Sequence, residues 1–356
     1  MKHRNIPIFL PHLGCPYRCV FCDQNILTEH RVIPQPEKVS RIIADHLRTI
    51  ESAAEIQVAF FGGNFTSLPF FLQMSYLDAV RPFLADGSVQ GIRFSTRPDC
   101  LVAEELPLLR AKGVQVIELG IQSFSDRVLT ASQREYTKET AIAAAQLIRT
   151  AGFSLGIQLM LGLPEDTPNL ALEAAAITVA LQPDMVRIYP TIVLTGTELA
   201  KRYNAGKYQP LTMQQAVEIC KEMRLLFDRS GIPVIRVGLQ ASEELNDANQ
   251  VLAGPYHPAF GELVEQSIFL DQALQLLKSC ADLPEILALY VHPRDLSQLI
   301  GQHGSNRAAL QGILNQPLTI LPSTYLSERY WVGVGSAKDK TPRSILTRQE
   351  FLHTAY

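Results

Sequence analysis

Three cysteines fall close together in the run Cys15-Pro16-Tyr17-Arg18-Cys19-Val20-Phe21-Cys22, at the spacing C-x3-C-x2-C. Thiolates this near in sequence can hold three corners of a cubane iron–sulfur cluster and leave its fourth iron without a protein ligand. An open coordination position is what separates a reactive metal centre from a closed structural one. The same thiols could instead form a zinc knot completed by His12 or His30, or a disulfide with one thiol left over. The loop follows an apolar run, Ile6 to Leu10, that predicts a first strand.

Other polar residues end apolar runs further along. Ile56 to Phe61 closes on Gly62-Gly63-Asn64, and paired glycines after a strand let another group come close to the backbone. Ser95-Thr96-Arg97 follows the run from Gly91, Gln122-Ser123 follows Val114 to Leu119, and Gln158 lies within Phe153 to Met160. Helical periodicity falls between these runs, at Pro36 to Ile50, Phe70 to Leu84, Val102 to Lys112, a stretch ending near Ala151, and Leu170 to Leu181; Met185 to Tyr189 is a sixth strand. Alternation of this kind implies a parallel sheet with helical crossovers. Six units are too few to close an eight-stranded barrel, so the expected fold class is α/β, a partial (β/α)6 TIM-like barrel. In such barrels chemistry sits in the loops at the carboxyl ends of the strands, where the cysteine loop and the polar strand ends would meet.

The remainder reads differently. Thr212 to Arg229 is a long amphipathic helix, Val234 to Val237 a short strand, and Gln240 to Gly261 carries little periodicity. The expected organisation is a barrel over 1–240, a connecting or lid segment with a helix over 241–285, and a small α/β module over 286–356. Of 356 residues 47% are hydrophobic and 19% charged, an ordinary globular composition. A net charge of -3 argues against a strongly basic, non-specific nucleic-acid binder. Cys100, Cys220 and Cys280 are isolated in apolar patterns and read as inert thiols. Clustered thiolates without a disulfide framework fit a reduced compartment, and no stretch approaches the roughly 18 apolar residues of a membrane helix, so a cytoplasmic protein is expected.

The cysteine spacing, with Phe21 just before the third cysteine, resembles the cluster loop of radical S-adenosylmethionine (SAM) enzymes. That resemblance implies a 4Fe-4S cluster on Cys15, Cys19 and Cys22, SAM chelated to the open iron, and one-electron cleavage of SAM to a 5′-deoxyadenosyl radical. A donor such as ferredoxin or flavodoxin would supply the electron. Phe60-Phe61-Gly62-Gly63-Asn64 resembles the superfamily's glycine-rich SAM contact, with Asn64 where an acidic residue is common. Glu118-Leu119-Gly120-Ile121-Gln122-Ser123-Phe124 followed by Arg134 resembles the SAM-binding stretch of oxygen-independent coproporphyrinogen dehydrogenases. There the matching Gln and Arg contact the cofactor, and an Arg suits a carboxylate because its fork donates two parallel hydrogen bonds. Gln158 and Ser95 stand where that family has acidic residues. The cofactor shell implied is Phe21, Gly62, Gly63, Asn64, Ser95, Gln122, Arg134 and Gln158. Across Asn5 to Leu263 the chain is also similar to the elongator catalytic-subunit family (elongator protein three), which acts on the wobble uridine of tRNA. Ser95-Thr96-Arg97-Pro98-Asp99, Glu118 to Ser123, Tyr189-Pro190-Thr191 and Gly196-Thr197-Glu198-Leu199 carry that likeness. The family's cysteines are more widely spaced, and the residues after Leu263 are expected to leave no room for its acetyltransferase domain.

Leu289 to Asn306 reads as strand, short helix, the Gly-x-x-Gly loop Gly301-Gln302-His303-Gly304, and a second helix. It resembles a KH module, whose loop clamps a nucleic-acid backbone. Ile286 to Tyr356 carries 7 Lys+Arg against 4 Asp+Glu, so positive charge is concentrated there. An ordinary tight corner between helices would also need glycines. The leading expectation is a radical SAM enzyme modifying RNA, with tRNA as partner and Tyr189, ending the sixth strand beside Arg187, as candidate hydrogen donor. Tyr256-His257 could contact substrate or simply fill a turn between prolines, and His292 and His303 read as surface residues. The alternatives are a small-molecule substrate such as a tetrapyrrole, or a non-catalytic iron–sulfur RNA-binding protein.

Overall fold

The computed structural model describes residues 2–28, 32–50, 54–247, 249–314, 316–339 and 341–354. By its internal contacts the chain divides into one unit of 1–213 with 232–258, and a second of 214–231 with 259–356.

The first unit is built on a parallel sheet of seven strands: β1 (Lys2–Phe9), β2 (Ala54–Phe61), β3 (Gly91–Thr96), β4 (Val114–Gln122), β5 (Ser154–Leu161), β6 (Met185–Pro190) and, after the short β7 (Val193–Leu194), β8 (Val234–Val237). Spatial order follows chain order, β1-β2-β3-β4-β5-β6-β8, and the sheet curls into an open half-barrel. The expected partial barrel is therefore present, with β8 as a seventh strand on the far edge. Val58, Phe60, Ile92, Phe94, Ile117, Leu119, Leu155, Ile157, Val186 and Ile188 are all buried, as parallel strands covered on both faces require. Phe65, just past the second strand, stacks on Phe94 with ring centroids 4.6 Å apart. Helix starts are marked locally: Thr137 and Thr167 cap the helices Lys138–Thr150 and Pro168–Leu181 by accepting from Thr140 N and Leu170 N. β7 pairs antiparallel with β9 (Val251–Ala253).

In the second unit the helices Met213–Arg229 and Phe260–Ser279 join a four-stranded sheet of order β11-β10-β12-β13, formed by β10 (Leu287–Val291), β11 (Leu318–Pro322), β12 (Val332–Ser336) and β13 (Ser344–Leu346). Contacts thus assign Thr212 to Arg229 largely to this unit, and the segment up to Pro258 to the barrel unit. β10 runs into the helix Leu296–Ile300, the Gly301–Gly304 loop and the helix Ser305–Leu314, then returns in β11, which pairs with β10 in parallel. Leu287, Leu289, Val291, Leu299, Leu310, Val332 and Val334 share one apolar core with Phe269 and Ala273. Asp295, fully buried, accepts from Arg329 Nε and from Tyr330 N at 2.6 Å, which ties the start of this motif to the later sheet. Among the described residues no helix is long and apolar enough to cross a membrane.

Candidate active site

The carboxyl ends of the barrel strands enclose a cavity of about 680 Å³. Cys15, Cys19 and Cys22 line it, as do Phe21, Gly62, Gly63, Asn64, Ser95, Gln122, Arg134, Gln158 and Tyr189, whereas Ser123, Tyr256 and His257 do not. Gly301 to Gly304 lie in the other unit, with Gln302 and His303 exposed.

The cysteine loop is held by the chain around it. Val20, 1% exposed, packs with Val193, Leu199 and Ala200, its N–H donates to Ser132 O at 3.2 Å, and its carbonyl accepts from Leu199 N at 2.8 Å. A Cβ on Gly63 would stand 2.6 Å from Leu10 O and 2.5 Å from Leu13 O. That glycine therefore admits the backbone of the cysteine loop itself, where a ligand was the expected visitor. Gly62 has φ +90°, a conformation that favours glycine. Asn64 is likewise committed to the scaffold: its Oδ1 accepts from Thr96 Oγ1 at 2.6 Å and Arg97 N at 3.1 Å, and its Nδ2 donates to Ser67 Oγ at 2.7 Å.

Burial, and then the neighbouring Cys19, push the Cys15 thiol up to about 11; burial, with Cys19 and Cys15 beside it, also raises the Cys22 thiol well above its ordinary value. Two thiols held protonated in this way are what a cationic centre would convert to thiolates. Among the described residues no three His, Cys, Asp or Glu side chains gather closely enough for one metal ion. A cubane presents three separate iron corners, one for each of three cysteines. Of the two histidines considered for a zinc knot, His12 already accepts from Gln24 N through Nε2 at 2.9 Å, and His30 lies outside the described residues.

Two buried polar atoms on the cavity's lining residues have no protein partner: Gln122 Oε1 and Arg97 Nη1. Gln122 is placed by a register shift between β4 and β5 and by φ +71°, an uncommon backbone state for a non-glycine residue that recurs at functional sites. Arg97 is 6% exposed; its Nε and Nη2 fork onto Asp99 at 2.9 and 2.8 Å, and its guanidinium lies over Tyr17 and Tyr136. Arg134 is spent differently: Nε donates to Tyr136 Oη at 2.9 Å, Nη1 to Cys19 Sγ at 3.0 Å, and Nη2 to Gly120 O.

A charged cluster adjoins the cavity around Glu118, a residue of the β4 motif to which the sequence reading gave no role. Glu118, fully buried, accepts from Arg93 Nε at 3.0 Å and Nη2 at 2.5 Å, from Arg187 Nε at 2.6 Å and Nη2 at 3.1 Å, and from Gln158 Nε2 at 3.2 Å. Burial alone would raise its carboxyl, but the two guanidiniums outweigh burial and hold it below the ordinary range. Gln158 Nε2 also reaches Ser95 Oγ at 3.3 Å, so the two residues that replace acidic ones are bonded to each other and steered by Glu118. Burial raises the Tyr189 phenol, so it stays protonated at neutral pH. The signal for Arg97 was its place at a strand end; that one of its donors is left over is visible only in three dimensions.

Two family models match the chain: the Radical SAM superfamily over residues 9–175 and the Radical_SAM C-terminal domain over 183–269. Together they take up most of the chain, which belongs to the radical SAM superfamily of enzymes, whose members typically use a 4Fe-4S cluster and SAM. A tRNA uridine(34) acetyltransferase of Methanocaldococcus jannaschii is 32% identical over 127 residues, 35% of this chain and 24% of that protein. Elongator complex protein 3 of Mus musculus is 25% identical over 193 residues, 47% of this chain and 34% of that one. The chain thus spans about a quarter to a third of the length of these relatives. The solved structure of the archaeal Methanocaldococcus infernus Elp3 with an N-terminal deletion shares the fold, with a TM-score of 0.59 and 20% identity, covering 75% of this chain and 63% of that one.

Proposed function

We propose that this chain is a radical SAM enzyme that modifies an RNA, with tRNA as its substrate, in a reduced compartment such as the cytoplasm. The observation that carries the cofactor reading is that Cys15, Cys19 and Cys22 line one cavity with the polar ends of the strands. When bound there, a 4Fe-4S cluster with SAM supplies a 5′-deoxyadenosyl radical, on receipt of one electron from a donor such as ferredoxin or flavodoxin.

The chain's own residues have four tasks. Gly63 lets the cysteine loop lie against the β2 end, and Val20 pins it, so the thiols are presented at fixed positions. Gln122 Oε1 and Arg97 Nη1 are a buried acceptor and a buried donor that no protein group satisfies, and a polar ligand is assigned to them. Glu118 orients Gln158 and Ser95, two amide and hydroxyl groups suited to a ribose. Tyr189, whose buried hydroxyl keeps its proton, is assigned to face the substrate as hydrogen donor.

RNA as substrate is supported by the relatives' names and by the strand–helix–Gly-x-x-Gly–helix–strand order of the second unit. Glycines there leave room for phosphates at a helix start. Filter binding of tRNA tests it with Gly304→Asp and His303→Asp, since a Cβ at Gly304 meets nothing closer than Arg307 Nη2 at 3.4 Å and aspartate tolerates the left-handed backbone at His303. Affinity should fall at least tenfold in each; unchanged affinity in both would refute the assignment of this loop.

A further inference from the structure

The resemblance assigns the cofactor's methionine carboxylate to Arg134, but the geometry divides the work of two arginines otherwise. Arg134 has all three of its nitrogens engaged, by the buried Tyr136 Oη and by the half-buried Cys19 Sγ and Gly120 O. Three of its five N–H groups are spent there, and the two left over sit on Nη1 and Nη2, nitrogens already held by Cys19 and Gly120. Arg97 has the complementary arrangement. Two of its nitrogens are fixed by Asp99 and its plane lies against two tyrosine rings, yet Nη1 is buried and without a partner in a residue that lines the cavity. Asp99, on the same guanidinium, does not line the cavity, and no aspartate or glutamate does so among the described residues.

We infer that Arg97 holds the carboxylate of the methionine moiety of SAM, and that Arg134 is a positioning residue for Cys19, donating to its sulfur. This rests on the SAM reading above. An N–H donated to a ligating sulfur favours the reduced, more negative cluster, so Arg134 would raise the cluster's reduction potential.

The test compares SAM with decarboxylated S-adenosylmethionine, by equilibrium dialysis against the full chain reconstituted anaerobically with iron and sulfide. The ratio of the two affinities is read within each variant, so any general weakening cancels. In Arg97→Gln the wild-type preference for the carboxylate form should fall about tenfold or more, the worth of one charge-assisted hydrogen bond. Arg97→Lys, a compact charge without the planar fork, should lose part of it, and serves if the glutamine variant does not fold. Arg134→Gln should keep the wild-type ratio within about threefold while its cluster titrates at a more negative potential. A ratio unmoved in both Arg97 variants, or one that collapses in Arg134→Gln, would overturn the inference while leaving SAM binding intact. A wild type that binds neither compound would overturn the SAM reading and this assignment together.

Discussion

Replacing Glu118 by Gln removes one negative charge from a site where two guanidiniums converge on it. Glu118 is fully buried and Arg93 is 3% exposed, so water cannot compensate the charge stranded on Arg93, while Arg187 reaches the cavity. Breaking a buried ion pair by removing one partner costs about 3–5 kcal/mol. The glutamine carbonyl still accepts from one arginine, which puts the expected loss near the lower figure, about 3 kcal/mol. Hydrogen exchange read by mass spectrometry on peptides covering Val114–Gln122 and Ser154–Leu161 measures this where it arises. At about 1.4 kcal/mol per tenfold, protection there should fall on the order of a hundredfold. Because the folded-state carboxyl is held below its unfolded value, its stabilisation is fully present above about pH 4.3 and is lost as pH falls through the folded value. The wild type should therefore lose protection on acidification below that point more steeply than Glu118→Gln, while between pH 6 and 8 this group contributes no slope. Exchange within about threefold of wild type at pH 7 would refute the view that this cluster holds the strand ends in place.

Two further perturbations have separable outcomes. Gly63→Ala places a methyl against two carbonyls of the cysteine loop, so iron bound after reconstitution should fall severalfold while circular dichroism stays native; full iron content would show that the loop can move aside. Tyr189→Phe removes only the hydroxyl, so cofactor cleavage should continue while modification of RNA stops, a split readable by mass spectrometry of both products.

The half-barrel was legible because parallel strands buried on both faces read as apolar runs, and six of them recur with glycine or polar residues at their ends. Val234–Val237 was visible only as a short strand, and nothing in it announces that it extends the same sheet. The helix Met213–Arg229 was legible as an amphipathic helix, but periodicity reports that a face is buried and not what covers it, so its grouping with the carboxy-terminal unit was not. Within the site, residue types and strand-end positions led to the cavity. Bond assignments did not follow from them: Gly63 serves the loop's own backbone, Asn64 ties β2 to β3, and each nitrogen of Arg134 already has a partner. Such outcomes depend on side-chain directions that spacing leaves open.

The central claim is that Cys15, Cys19 and Cys22 hold a cluster at which SAM is cleaved. Its most direct test is anaerobic reconstitution with iron and sulfide, chemical reduction, addition of SAM with and without tRNA, and quantification of 5′-deoxyadenosine. The account predicts about four irons per chain, 5′-deoxyadenosine above background, and neither in the triple variant Cys15→Ser, Cys19→Ser, Cys22→Ser. A fully loaded, reduced wild type that forms no 5′-deoxyadenosine with or without tRNA would contradict it.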